Sequence, residues 1–189
     1  MFLSITELLD IVIMTAFVGY IFTGVFKRPR HEEYDPLKHY SRGFDWNDFK
    51  FAALAVAPAI LLHELAHKTV ALSFGLSAVF NAAYTWLALG LIMKLMNFGF
   101  IFFVPAYVNI MGQGTPLEFS LIAFAGPLMN LILWLSTAAL LKYKVTKKKY
   151  VPLLFITKQV NMFLFIFNML PIPGFDGSKV FYGLYQAFF

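Results

Sequence analysis

Long apolar runs are the feature that most limits what this sequence can fold into. A helix needs about twenty consecutive, mostly apolar residues to cross the hydrocarbon core of a bilayer. Of the 189 residues, 60% are hydrophobic and 13% are charged, whereas soluble domains carry about 25% charged residues. So little charge cannot cover a water-exposed surface, and the runs therefore indicate a membrane protein. They lie at about residues 5–26, 48–74, 78–97, 117–143 and 151–170.

These runs predict an all-α polytopic membrane protein with four to five transmembrane helices in one membrane-embedded domain, residues 1–189. The first run has acidic residues near its start and a basic cluster at residues 27–30 after it. That order favours a retained transmembrane helix over a cleaved signal peptide. Residues 98–111 are rich in Phe, Val, Ile and Tyr and contain Pro105, which predicts a re-entrant or extended segment, such as an edge strand. The last dozen residues fit a short amphipathic helix.

Residues 27–48 form a long polar stretch, which we interpret as a solvated loop at the membrane surface. Its His31, Glu32, Glu33 and His39 are more simply explained as exposed polar residues than as metal ligands. The net charge of +5 comes from basic residues beside the apolar runs, a pattern typical of anchoring to lipid headgroups. We therefore expect a multi-pass protein of the cell membrane, surrounded by the lipid bilayer, with no nucleic-acid partner.

One motif with chemical meaning lies inside the second run, His63-Glu64-Leu65-Ala66-His67. Histidines four residues apart lie one turn apart on one face of a helix, so that both imidazoles can bind one zinc ion. Glu64 projects about 100° further round the helix, where it can act on a water molecule without being a ligand. Ionisable residues at mid-membrane cost roughly 2.5–3.5 kcal/mol each, and a cation offsets that cost. A polar cluster that only joins helices is the alternative.

Catalytic zinc usually takes three protein ligands, so the histidine pair requires a third. The chain has no cysteine, which leaves His, Asp or Glu. Asp176 is the best candidate, because Pro171 and Pro173 break the preceding helix and let the chain turn inward. An ordinary Asp-Gly turn is the alternative explanation for this residue. The other acidic candidates outside the polar loop are Glu7, Asp10 and Glu118.

With these residues in view, the chain resembles the site-2 protease family of intramembrane zinc metalloproteases. Three motifs carry the resemblance: the segment 63–67, Phe124-Ala-Gly-Pro-Leu-Met-Asn130, and Asn168-Met-Leu-Pro-Ile-Pro-Gly-Phe-Asp176-Gly. They occur in the family's order and span about residues 50–180. The first motif also occurs in many soluble metalloproteases, so the specificity lies in the series of three.

The resemblance implies that Asp176 is the third zinc ligand and that the substrates are transmembrane proteins, cut within or near the bilayer. It also implies that the extended stretch near residues 100–110 pairs with an unwound substrate strand. Asn130 and Asn168 would hydrogen-bond that substrate or brace the core. Two features depart from the family: the sequence contains no PDZ-like domain, and run 78–97 is an apolar insertion.

The proposed ligands also constrain the topology. The late part of run 48–74 and the end of run 151–170 must lie at similar depth, so run 78–97 and its extended neighbour must enter and leave on one side, as a hairpin or re-entrant element. If run 78–97 spans once, Asp176 cannot be the ligand. The positive-inside rule then places the catalytic side outward, whereas the family resemblance places it near the cytoplasm, and the sequence leaves both orientations open.

We therefore interpret the chain as a zinc metalloendopeptidase in which Glu64 takes a proton from the attacking water and passes it to the leaving amine. Lys68 is one turn from Glu64, where it either lines a water path or extends to the membrane interface. Two alternatives are a catalytically silent scaffold of the same fold and a transporter or metal-handling channel. The presence of Glu64 argues against the first, and the clustering of ionisable residues at one depth argues against the second.

Overall fold

The computed structural model describes residues 2–26, 44–98 and 104–189. Six helices and two strands follow one another in these ranges, with a short 3-10 turn at Lys148–Tyr150 before the fifth helix. The elements are α1 Ile5–Phe22, α2 Trp46–Ser73, β1 Ser77–Ala82, α3 Tyr84–Leu95, β2 Ala106–Met111, α4 Pro116–Lys142, α5 Val151–Asn168 and α6 Asp176–Phe188.

Four of the described helices, α1, α2, α4 and α5 with its 3-10 turn, are long and apolar enough to cross a membrane. This confirms the prediction of an all-α polytopic membrane protein, with the lower of the two expected helix numbers. Helix α3 has 12 residues, or about 18 Å of length, against a hydrocarbon core of about 30 Å. Run 78–97 therefore does not supply a fifth spanning helix.

The run instead contributes to a hairpin. Strands β1 and β2 are antiparallel, from the pair Ser77 and Met111 to the pair Ala82 and Ala106. The chain thus enters and leaves this element at the same end, with α3 in the connection, as the metal geometry requires. The strand at 106–111 also confirms the extended segment expected within 98–111, of which residues 99–103 lie outside the described ranges.

Local sequence explains where the helices begin. Ser4 and Glu7 form a reciprocal capping box at the start of α1, and Thr115 and Glu118 form another at the start of α4, where Pro116 occupies the first turn. Asp45 caps α2 by accepting from two backbone N–H groups. Glu7 and Glu118, two of the alternative metal ligands, are therefore held by helix caps.

Helix α2 lies at the centre of the bundle, in contact with α1, α4, α5 and both strands. Small residues permit close approach, as is usual between membrane helices. A Cβ on Gly19 of α1 would lie 2.9 Å from Ala53 of α2, so only glycine fits there. Among the described residues, the buried core under the hairpin contains Met14, Phe80 and Leu87. The candidate residues His31, Glu32, Glu33 and His39 of the polar loop lie outside the described ranges.

Candidate metal centre

His63 and His67 lie one turn apart on α2 and point toward the start of α6. Their Nε2 atoms are 3.1 Å apart and lie 3.1 and 3.2 Å from Oδ2 of Asp176. Each histidine is 6% exposed. Within the described ranges these three residues form the one group of His, Asp and Glu side chains that could hold a metal ion. The predicted third ligand is therefore brought to the histidine pair from more than a hundred residues away.

The break between α5 and α6 delivers Asp176. Helix α5 ends at Asn168, and the chain then passes through Pro171 and Pro173 to Gly174, whose φ of +99° suits glycine. A Cβ on Gly177 would lie 2.5 Å from the Met169 carbonyl oxygen. The first turn of α6 is thus packed against the end of α5, closer than any other residue would allow, and this packing points Asp176 inward.

Backbone carbonyls fix the protons on the two imidazoles, because a carbonyl oxygen can only accept a hydrogen bond. The Asn130 amide nitrogen donates to the Ala59 carbonyl at 3.1 Å and to Oδ1 of Asn161 at 2.9 Å. The Asn130 oxygen must then face His63 Nδ1, which lies 2.6 Å away and donates to it. His67 Nδ1 donates to the Ile122 carbonyl at 2.7 Å.

In its neutral form, with the proton on Nδ1, each imidazole presents an unprotonated Nε2 atom toward Asp176. Three lone-pair atoms then converge with no proton among them, an arrangement that repels unless a cation is shared. Tetrahedral zinc with bonds of about 2.0–2.1 Å separates its ligand atoms by about 3.3 Å, close to the spacing of these three atoms. Two imidazoles and one carboxylate are also a donor set found at catalytic zinc, which keeps a fourth position open.

Gly126 of α4 explains part of the Gly-Pro motif. A Cβ at this position would lie 2.3 Å from His67 Nε2 and 2.6 Å from His63 Nε2. Any side chain would therefore occupy the space beside the two Nε2 atoms. Glycine at residue 126 keeps that space free while α4 passes directly over the pair.

Asp176 lies outside the spanning helices and is largely buried. Burial alone opposes ionisation of the Asp176 carboxyl, whereas a cation shared with the two Nε2 atoms would favour the ionised form. Its other oxygen, Oδ1, lies 3.9 Å from Nζ of Lys179, one turn further along α6. Oδ2 thus faces the two histidines and Oδ1 faces Lys179, which leaves the carboxylate available to a cation.

A cavity of about 1070 Å³ opens on the site and is lined by both histidines, Glu64 and Asp176. Glu64 does not belong to the group of three ligand atoms but lines the same cavity, and its catalytic role stays a prediction. Asn168 also lines the cavity, so contact with a substrate remains a prediction for this residue. Strand β2 forms one wall, and the lining elsewhere is rich in phenylalanine.

Asn130, unlike Asn168, does not line the cavity and has partners inside the helix bundle. It is fully buried, and its amide contacts His63, Asn161 and Ala59. Bracing of the core, the second of the two roles considered for Asn130, fits these contacts, and a contact between Asn130 and a substrate stays a prediction. Asn161 itself was not singled out from the sequence. The sequence feature that could have identified Asn161 is a polar amide side chain within the apolar run 151–170.

Lys68 differs from both expectations. It does not line the cavity and does not extend into solvent, since it is 2% exposed and pairs with Glu7 of α1. The expectations were wrong because Lys68 projects from the side of α2 that faces α1, where a buried carboxylate is available. Spacing within one run could not show that the partner lies 61 residues earlier.

Comparison with known proteins agrees with this geometry. Over 134 residues the chain is 42% identical to a protein of Methanocaldococcus jannaschii that bears the name "Putative zinc metalloprotease". The alignment covers 70% of this chain and 69% of that protein. No family model matches the chain, and no solved structure matches it. Zinc is therefore the metal indicated both by the relative and by His63, His67 and Asp176.

Proposed function

Since this chain belongs to the same zinc metalloprotease family as its relative from Methanocaldococcus jannaschii, we propose that it is an intramembrane metalloendopeptidase of the site-2 type. Its substrates would be transmembrane proteins, cut within or near the bilayer of the cell membrane. The observation that carries this proposal is the location of His63, His67 and Asp176 inside a bundle of four helices that are long and apolar enough to span. A peptide bond that reaches this group must come into the bundle.

His63, His67 and Asp176 would hold the zinc ion. When bound, zinc supplies Lewis acidity, which lowers the pKa of water and polarises a carbonyl. Asn130 holds His63 in the tautomer that leaves Nε2 free, and the Ile122 carbonyl does the same for His67. The protein thus orients both imidazoles before any substrate arrives.

Glu64 would act as the general base and then as the general acid. It lines the same cavity as the two histidines, so its carboxylate can take a proton from the attacking water at the scissile carbonyl. The same carboxyl then gives that proton to the departing amine, which completes hydrolysis with no net change in Glu64. Proton transfer of this kind contributes typically a factor of about 10² to 10⁴ to the rate.

The substrate would bind in extended form, because a helix hides its peptide bonds. Strand β2 forms a wall of the cavity, and strand addition would place the substrate's backbone beside Glu64. Asn168 lines the cavity from the end of α5 and would donate to or accept from that backbone. The phenylalanine-rich lining suits the apolar side chains of a membrane-spanning segment.

The test uses purified protein in lipid nanodiscs with zinc, incubated with a set of single-span reporter proteins and analysed by intact mass. We expect wild type to cut a reporter within or next to its apolar segment, and Glu64→Gln to retain zinc but lose at least about 10²-fold in rate. Cleavage only in water-exposed loops would contradict intramembrane proteolysis. Equal function of wild type and Glu64→Gln in cells would favour a silent scaffold. Ion flux in liposomes without any cleavage would favour a transporter.

A further inference from the structure

The outer edge of strand β1 is occupied by side chains of helix α1. The backbone N–H of Phe80 donates to Oε1 of Glu7 at 2.7 Å, and the N–H of Ala82 donates to Oδ2 of Asp10 at 3.0 Å. The two carboxylates are three residues apart and therefore share one face of the helix. Phe80 and Ala82, which carry the two N–H groups, are alternate residues of the strand, so both groups point to the same side. Helix α1 thus supplies the acceptors that a third strand would otherwise supply.

Both carboxylates are themselves held in place. Glu7 is 4% exposed, accepts from the backbone N–H of Ser4 at 2.8 Å, and pairs with Lys68. Lys68 follows His67 directly, so this pair joins the β1 edge to the helix that carries the metal site. Asp10 accepts a hydrogen bond from the Tyr84 hydroxyl at the start of α3.

The blocked edge determines which groups of β2 face outward. Because Phe80 and Ala82 direct their N–H groups away from β2, the residues between and beside them, such as Asn81, bond to β2. The β2 residues that are paired with them direct their backbone N–H and C=O groups toward β1. The intervening residues Ala106, Val108 and Ile110 direct their backbone groups toward the opposite edge of β2. Among the described residues the sheet has two strands, so this edge has no strand partner.

The outward-facing residues of β2 border the metal site. Ala106, Val108 and Ile110 line the same cavity as His63 and Glu64. Alternate residues of a strand are about 6.6–6.8 Å apart, so these three present backbone donors and acceptors over about 13 Å. A strand of five or six residues added there would pass the site with the N–H and C=O groups of its alternate residues paired to β2.

We infer that Glu7 and Asp10 are positioning residues that close the β1 edge and so reserve the β2 edge for the extended substrate. The inference rests on the proposed function for its substrate, although the closed edge itself is a property of the free protein. An exposed strand edge pairs with any extended segment that reaches it. With β1 closed by carboxylates, the described part of the sheet offers an incoming strand one edge, and residues of that edge line the same cavity as Glu64.

Asp10 is the better residue to change, because removal of Glu7 would leave Lys68 buried and unpaired. Asp10→Ala removes the acceptor for Ala82, and Asp10→Asn keeps an oxygen that can accept from it. The first measurement is amide hydrogen exchange of β1 in nanodiscs without substrate. We expect the Ala82 amide to exchange about 10-fold or more faster in Asp10→Ala, since a lost hydrogen bond to a charged group changes opening equilibria by about that order, and close to wild type in Asp10→Asn.

The second measurement is the kinetics of cleavage of the reporter that wild type cuts, with product masses. We expect Asp10→Ala to raise KM about 3- to 10-fold, to change kcat by less, and to spread cleavage over neighbouring bonds as the strand binds in more than one register. Asp10→Asn should restore one cleavage position. Zinc content should equal that of wild type in both variants.

The results of these two measurements distinguish a failure of the proposed proteolytic function from a failure of the positioning role of Glu7 and Asp10. If wild type cuts no reporter, the proposed function fails, while faster exchange of Ala82 in Asp10→Ala still supports the closed edge. If wild type cuts and Asp10→Ala shows the same KM and the same single cleavage position, the positioning role is wrong. Unchanged exchange of Ala82 in Asp10→Ala would overturn the closed edge directly.

Discussion

Nδ1 of His63 lies 2.6 Å from Oδ1 of Asn130, and both side chains are buried where α2, α4 and α5 meet. The Asn130 amide nitrogen donates to Oδ1 of Asn161, and the Asn161 amide nitrogen donates to the Thr157 carbonyl at 2.8 Å. A chain of two amides thus connects a metal-facing imidazole to a backbone group of α5. The orientation of His63 is therefore set by residues that do not touch the cavity.

Replacement of Asn130 should weaken zinc binding without removing the site. Loss of a hydrogen-bonding partner of a metal-bound histidine costs roughly 10- to 100-fold in metal affinity, and we expect this for Asn130→Ala. Asn130→Asp keeps an acceptor for His63 Nδ1 and should bind zinc more tightly than Asn130→Ala. Competition with a chromophoric chelator measures all three proteins. Equal zinc affinity in the three would show that Asn130 only packs.

Gly126→Ala should abolish zinc binding in a folded protein. The added methyl would lie 2.3 Å from His67 Nε2 and 2.6 Å from His63 Nε2, nearly as close to both nitrogens as a bound zinc ion would lie. Gly-to-Ala exchange inside a helix otherwise stabilises it by about 1 kcal/mol, so helix propensity cannot explain a loss. Zinc per chain by mass spectrometry and thermal unfolding of the same samples provide the check. A full zinc complement in this variant would mean that α4 does not lie over the pair as described.

Asp176→Ala should lower zinc per chain, as should His67→Ala, because each removes one of three ligands. Lys179→Ala is the matched control on the same helix. Its side chain is 67% exposed and 3.9 Å from Asp176, and an exposed ion pair contributes about 0–1 kcal/mol, so zinc content should stay at the wild-type level. Full zinc retention in Asp176→Ala would remove the third ligand and the topology argument built on it.

The Glu7 and Lys68 pair should show strong coupling in stability. Each side chain is at most 5% exposed, and removal of one partner of a buried pair costs about 3–5 kcal/mol because the other charge is left uncompensated. Lys68→Met and Glu7→Gln should each destabilise by an amount of that order, and the double variant by less than the sum. Unfolding in mixed detergent measures the cycle. Additive effects would indicate that the two charges do not interact.

The sequence determines the spanning helices and the three ligands because each depends on a local signal. A run of apolar residues, the spacing of His63 and His67, and prolines before Asp176 are all visible within a short stretch of chain. The hairpin of β1 and β2 was predictable only indirectly, from the requirement that Asp176 reach the pair. Its outer edge is bonded by side chains of α1 that lie some seventy residues earlier.

The parts that sequence reasoning missed are long-range and polar. Lys68 has a partner 61 residues away and Asn130 has one 31 residues away, and no spacing rule connects such residues. A polar residue in an apolar run signals that some partner exists, because an unpaired polar group in the membrane is costly, but does not identify it. For Asn130 the available partners were a substrate or the core, and only the packing of α2, α4 and α5 distinguishes them.

The separation of the ligands along the chain also determines when the metal site can form during synthesis. Asp176 follows His67 by 109 residues, and a ribosome adds about 5–20 residues per second, so the histidine pair exists for on the order of ten seconds before its third ligand is made. During that interval α4 and α5 are still being synthesised. A nascent chain therefore holds two imidazoles and Glu64 in an incomplete bundle, and hydrolytic competence arises only when nearly every spanning helix is already in the membrane.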